Sequence, residues 1–190
     1  MVYLLLADGF EEVEALTPLD LLRRAGKEVL TVSVTDDRAV RGAHGITVLA
    51  DLCAHEVRDE CDEMLILPGG MPGTTNLDAS PLTDRLLSEV LSHGGYMAAI
   101  CAAPLILGKR GLLQGKRAVC YPGFEDTLRG AEIVATSVVT DGNIITATGA
   151  GVAVLFGGVL VEKLCGNEKA KTLLSAFRYT YLQNYEELFL

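Results

Sequence analysis

Tyr96-Met97-Ala98-Ala99-Ile100-Cys101-Ala102-Ala103-Pro104 decides how the rest of the chain is read. Five residues suited to a buried strand run into a cysteine. Two small residues and a proline follow, and then Leu105-Ile106-Leu107 opens the apolar face of a helix. Proline is tolerated in a first helical turn, so Pro104 sets the helix start close to Cys101. At such a strand-to-helix bend the sulfur faces backbone amides and the positive end of a helix dipole. Both favour thiolate over thiol, and Ala102 and Ala103 leave space for a substrate. The layout is that of a nucleophile elbow, in which the amide after the nucleophile, here that of Ala102, stabilises an oxyanion. The bland alternative is a buried cysteine packed as a small hydrophobe.

Outward from this bend, the preceding strands supply the partners. Met64–Leu67 is a compact apolar strand stopped by Pro68-Gly69-Gly70, where glycines let the backbone turn sharply and come close to a ligand. The Gly70 amide is the candidate second oxyanion donor. Val2–Ala7 reads as the first strand and Glu28–Val34 as the second. Between them an acidic turn leads into a helix carrying Val13, Leu16, Leu19 and Leu22 at helical spacing up to Gly26. Glu11 and Glu12 read as a solvated helix start. Glu14, one position off the apolar stripe, reads as flanking the core, and Pro18 predicts a kink or opened turn.

Ala39–Arg41 and Ile46–Leu49 predict a hairpin with His44 near its tip, a possible site residue or a merely solvated one. Ser80-Pro81 predicts an N-capped helix to about His93. Ala118-Val119-Cys120 predicts a strand leading to Tyr121. Glu132–Val134, Val138–Thr140 and Asn143–Ala147 read as short strands, the last two joined at Asp141-Gly142. Val152–Cys165 and a segment from Asn167 bearing Leu173, Leu174, Phe177 and Tyr179 read as the closing helices. Gly149-Ala150-Gly151 lacks the third glycine of a dinucleotide fingerprint, Val154 standing there instead.

Alternating strands and helices predict an α/β fold, a mostly parallel twisted sheet with helices on both faces. Gly69-Gly70, Cys101 and Tyr121 all follow predicted strands, where ligands bind in such sheets. The 190 residues, 49% hydrophobic, are expected to form one domain over 1–190. A net charge of −9 argues against strong nucleic-acid binding. Val2–Leu6 has no cationic segment before it and meets Asp8 too early for a signal peptide, and Val152–Val161 is too short to span a bilayer, so a cytoplasmic protein is expected. The five cysteines, at 53, 61, 101, 120 and 165, have no C-x-x-C spacing, which points to neither a disulfide framework nor a zinc site.

Ala99-Ile100-Cys101-Ala102-Ala103-Pro104, with Leu67-Pro68-Gly69-Gly70 and Glu11-Glu12-Val13-Glu14 before it, resembles the ThiJ/PfpI superfamily, and most of all its parkinsonism-associated protein deglycase branch. The likeness covers essentially the whole chain, including Pro18 and Arg23-Arg24-Ala25-Gly26. It implies a flavodoxin-like fold, a homodimer, and an elbow cysteine with a partner glutamate, here Cys101 and Glu14. It also implies glyoxalase or deglycase activity without cofactor or metal, on small aldehydes or glycated proteins, or oxidative-stress sensing with chaperone activity. Many relatives carry histidine where this chain has Tyr121, and some carry arginine where it has Thr148. Both departures count against a triad-type protease, since no local base would activate the thiol, although Tyr121 can still donate a hydrogen bond. The expected site is therefore Cys101 and Glu14 as reacting groups, with Gly69, Gly70, Ala102 and Tyr121 around the substrate and His44 as a possible addition.

Overall fold

The computed structural model describes residues 1–58 and 60–179. Its frame is a six-stranded sheet ordered β2-β1-β5-β6-β10-β9. The strands are β1 (Val2–Leu6), β2 (Val29–Ser33), β5 (Met64–Leu67), β6 (Tyr96–Ile100), β9 (Val138–Asp141) and β10 (Ile144–Ala147). All neighbours run parallel except β9, which pairs antiparallel with β10. Because successive residues of a strand point to opposite faces, each strand feeds two cores. Tyr3, Leu5, Leu65, Leu67, Met97 and Ala99 line one. Val2, Leu4, Leu6, Met64, Ile66, Ala98 and Ile100 line the other. That explains why these strands read as continuous apolar runs instead of alternating ones.

Helices close both faces. Helix α1 (Glu12–Arg24), α5 (Ala153–Cys165) and α6 (Asn167–Ala176) cover one through Leu19, Leu22, Phe156, Leu160 and Ala170. Helix α2 (Gly73–Ala79), α3 (Pro81–Ser92) and α4 (Pro104–Lys109) cover the other through Leu77, Leu86, Val90 and Ile106. The chain builds β1 and β2 toward one edge and then returns across β1 to lay down β5, β6 and β10. The order therefore reverses beside β1 at its border with β5, the place where flavodoxin-like sheets open a crevice at their carboxyl ends.

Several expectations need correction. Helix α1 continues through the buried Pro18 as one unbroken helix, where an opened turn is one of the two outcomes expected. Helix α2 occupies the stretch between Gly70 and Ser80, to which the sequence reading assigns no element, and Ser80 closes α2 without a side-chain cap onto α3. The strand expected at Ala118-Val119-Cys120 is reduced to β7 (Arg117–Ala118). It pairs with β8 (Glu132–Ile133) in a separate two-stranded sheet, because the Val119 amide turns to the Thr146 hydroxyl. The predicted hairpin is present as β3 (Ala39–Arg41) and β4 (Thr47–Leu49). Among the described residues no helix is long and apolar enough to cross a membrane. Residues 180–190 of the expected domain lie outside the described residues.

Candidate active site

At the end of β6 the chain makes its bend on Cys101 itself, whose φ is 64°. A non-glycine residue in this left-handed region costs about 1–3 kcal/mol and persists only where the surroundings fix it. Here they do. The Cys101 amide donates to the Ala147 carbonyl at 2.9 Å, and its carbonyl accepts from the Tyr121 amide at 2.7 Å. The sulfur thereby leaves the strand direction and turns toward the end of β5, where the amides of Gly70 and Ala102 face it and favour its charged form. These are the two donors expected to hold an oxyanion.

Glu14 meets that sulfur from α1. Its side chain is 1% exposed, and Oε2 accepts from the Gly69 amide at 3.0 Å. The Ala150 amide and the Cys101 thiol face this carboxylate and favour its charged form. Such close assembly leaves no room for a side chain at Gly69. An added Cβ would sit 2.6 Å from Cys101 Cβ and 2.6 Å from Glu14 Oε2. Gly70, with φ +90°, takes a conformation that side chains disfavour, and a Cβ there would meet the Glu11 amide nitrogen at 2.4 Å.

The electrostatics differ from the sequence expectation. Burial pushes the Glu14 carboxyl up to about 7, against the hydrogen bonds from Cys101, Gly69 and Ala150 that favour its charged form. Burial also raises the Cys101 thiol, and the Glu14 charge and hydrogen bond raise it further, to about 12, with the Gly70 and Ala102 amides pulling the other way. The bend alone would favour thiolate, but a carboxylate in contact and loss of water outweigh two amides. Beside ionised Glu14 the resting sulfur therefore keeps its proton. Glu14 is the group beside it whose charge changes near neutral pH.

Tyr121, whose amide binds the Cys101 carbonyl, is half-exposed. Its ring is T-shaped against Phe124 at 6.5 Å. With Pro122, Thr148, Gly149, Ala150, Gly151 and Val152 it lines a cavity of about 450 Å³. A Cβ on Gly149 would lie 3.3 Å from the Tyr121 ring and 3.8 Å from Glu14 Oε1, so one lining residue lies next to the carboxylate, which does not itself line the cavity. Its lining carries no charged side chain.

His44 stands elsewhere. It is bound to the α1 N-terminus, with Nδ1 3.0 Å from Glu12 Oε2 and 3.5 Å from Glu11 Oε2, and not to Cys101 or Glu14. Glu12 is buried rather than solvated, because its Oε1 accepts the His44 and Ile46 amides at 2.9 and 3.3 Å and so pins the β3–β4 tip. Sequence reasoning missed this clamp and also missed Ala150. The small residues before α5, set aside as a poor dinucleotide motif, were the available signal for a close backbone approach.

A family model described as DJ-1/PfpI family matches residues 1–163. The chain is similar to Protein DJ-1 homolog B of Arabidopsis thaliana, 39% identical over 86% of this chain and 38% of that protein. It thus spans well under half the length of that relative, and 44% of the related homolog A. It is also similar to a deglycase of Pyrococcus abyssi, 36% identical over 77% of this chain and 88% of that one. A glutathione-independent glyoxalase of Caenorhabditis elegans is 32% identical over 90% and 91%. Among solved structures, a DJ-1 superfamily protein of Salmonella typhimurium superposes with a TM-score of 0.88 at 33% identity, covering 93% of this chain and 97% of that one. Oxidised DJ-1 of Toxoplasma gondii gives 0.83 at 36%, covering 93% and 96%.

Proposed function

Because this chain belongs to the DJ-1/PfpI family, we propose that it is a cofactor-independent glyoxalase or deglycase, acting on 2-oxoaldehydes or their protein adducts through Cys101 and Glu14. The observation that carries this reading is the convergence of Cys101 and the buried Glu14 carboxylate on Gly69, where an added Cβ would lie 2.6 Å from Cys101 Cβ and from Glu14 Oε2, with burial pushing that carboxyl up to about 7. The names of the Pyrococcus abyssi and Caenorhabditis elegans relatives point the same way.

In this mechanism the Cys101 sulfur adds to the aldehyde carbon as Glu14 takes the thiol proton, and Glu14 returns that proton to the new alkoxide. The product is a hemithioacetal. Glu14, again a carboxylate, removes the proton from the former aldehyde carbon to give an enediolate. It then delivers the proton to the neighbouring carbon while the hydroxyl proton passes between the two adjacent oxygens. The result is a thioester, which water cleaves to the 2-hydroxy acid and free Cys101. The Gly70 and Ala102 amides stabilise oxygen charge along the way, a role for which donors already fixed in place are effective. Tyr121 and the uncharged cavity beside Glu14 receive the remainder of the substrate. In the test, purified protein is incubated with methylglyoxal and lactate is measured against a Cys101→Ala control. Lactate from the wild type alone is expected, and equal yields would end the reading.

A second reading, a redox sensor with chaperone activity, is supported by the donors around the sulfur. Two equivalents of peroxide would convert the thiol to sulfinic acid with release of two waters, and protonated Glu14 could donate to one sulfinate oxygen. Mass spectrometry after mild peroxide separates the readings. Two oxygens added selectively at Cys101 favour sensing, and scattered oxidation of all five cysteines counts against it.

A further inference from the structure

Away from Cys101, on the far side of β2, a second cysteine sits among groups of different chemistry. Leu52 bridges to Val32 of β2, and the Ala54 amide donates to the Thr35 carbonyl at 2.9 Å, so the short turn Ala54–Glu56 is fixed to the sheet edge. Cys53, 4% exposed, begins this turn. Its sulfur lies 2.9 Å from Glu56 Oε2, 3.5 Å from His55 Nδ1 and 3.8 Å from His55 Nε2. Asp36, from the loop after β2, places Oδ1 3.0 Å from His55 Nδ1. Arg38, from the same loop, binds Glu56 Oε1 at 2.6 Å, with a longer contact of 3.2 Å to Oε2.

We propose that Cys53, His55 and Glu56 form a binding site for a zinc-like divalent cation, with Asp36 orienting the histidine. The donor set, one sulfur, one imidazole and one carboxylate, is that of zinc and not of the hard oxygen-seeking cations. A tetrahedral zinc with bonds of about 2.3 Å to sulfur and about 2.0 Å to nitrogen or oxygen holds its ligands about 3.5 Å apart. The observed 3.8 and 2.9 Å fall on either side of that separation and the three donor atoms all lie within 4.8 Å of one another, so rotations of Glu56 and of the largely exposed His55 ring bring them to it.

With Asp36 on Nδ1, the other ring nitrogen is left for the metal, the carboxylate–histidine arrangement that fixes the tautomer of metal-bound histidines. Arg38 can keep Oε1 while Oε2 turns to the ion. The Cys53 thiolate, Glu56 and Asp36 bring three negative charges against one positive on Arg38, so a dication neutralises the cluster. The thiol releases its proton to solvent on binding, and a water completes the fourth position. Nothing in the C-x-H-E spacing of residues 53–56 discloses this from sequence, because Asp36 and Arg38 arrive from a separate loop.

The test uses the full chain carrying Cys101→Ser, which removes the competing thiol of the proposed active site. Zn²⁺ is titrated against a chromogenic chelator, and Co²⁺ serves as a spectroscopic probe. One equivalent per chain is expected, with a sulfur-to-cobalt charge-transfer band and tetrahedral visible absorption. Cys53→Ala abolishes the band. His55→Ala, at an exposed position that leaves folding intact by circular dichroism, weakens Zn²⁺ binding at least tenfold. Asp36→Asn weakens it about tenfold, the usual scale for an outer partner, and His93→Ala leaves it unchanged. Binding that is insensitive to His55→Ala, or a cobalt spectrum without the thiolate band, would overturn the proposal.

Discussion

A proton held between Glu14 and Cys101 gives the site its response to pH. Glu14 titrates at about 7 in the folded chain against an ordinary value of 4.5, because burial disfavours its charge. The folded state therefore binds this proton more tightly than the unfolded state. The associated stability is complete below about pH 4.5 and is lost as pH rises through about 7. The shift corresponds to about 3 kcal/mol. Urea unfolding between pH 5 and pH 8 should show a fall of this order that is absent from Glu14→Gln; parallel curves for the two proteins would contradict the assignment. The same titration supplies the base, so the activity rises through about pH 7 and then levels. Cys101 was legible in the sequence because its flanks announce a bend, and Glu14 because it sits beside an apolar stripe. Their joint electrostatics were not legible. Contact between residues 14 and 101 follows from tertiary packing, and it reverses the thiolate preference that the bend alone would give.

At the scale of elements, α1 delivers Glu14 only because α5 lies against it closely. Gly157 of α5 makes that approach possible, since a Cβ there would come 2.7 Å from Leu21 Cδ1 and 3.0 Å from Pro18 Cα. Pro18 is thus a packing surface for α5 within a continuous helix, which a reading of hydrogen bonds along one helix cannot anticipate. Gly157→Val improves helix propensity by only a few tenths of a kcal/mol, whereas overpacking of a filled contact costs about 1–3 kcal/mol. A net loss of stability in denaturant unfolding is expected, with reduced activity as α1 shifts, and an unchanged or raised midpoint would show that the contact yields freely. Strands β1, β5 and β6 were readable because burial on both faces makes them unbroken apolar runs. Helix α2, which begins at Gly73 and carries Thr74, Thr75 and Asn76, has weak helix formers and was not.

For the whole molecule, the reversal of strand order beside β1 brings the ends of β1, β5 and β6 to one crevice, and these ends carry the approach to Glu14, the Gly69-Gly70 turn and Cys101. The alternation of strands and helices foretold this convergence. The detour through β7 and β8 was not foretold, because Val119 satisfies its amide on a side chain rather than on a strand. The homodimer implied by the resemblance is checked by sedimentation equilibrium, where about twice the 20.3 kDa chain mass is expected and a monomer at all concentrations would refute it.

Lactate production from methylglyoxal by Glu14→Gln, run beside the wild type at pH 7.5, tests most directly whether Cys101 depends on a carboxylate from the first helix. A positioned base contributes about 10²–10⁴-fold, so a rate at least about 100-fold below wild type is predicted, with the variant folded by circular dichroism. A folded variant that forms lactate at the wild-type rate would contradict the account.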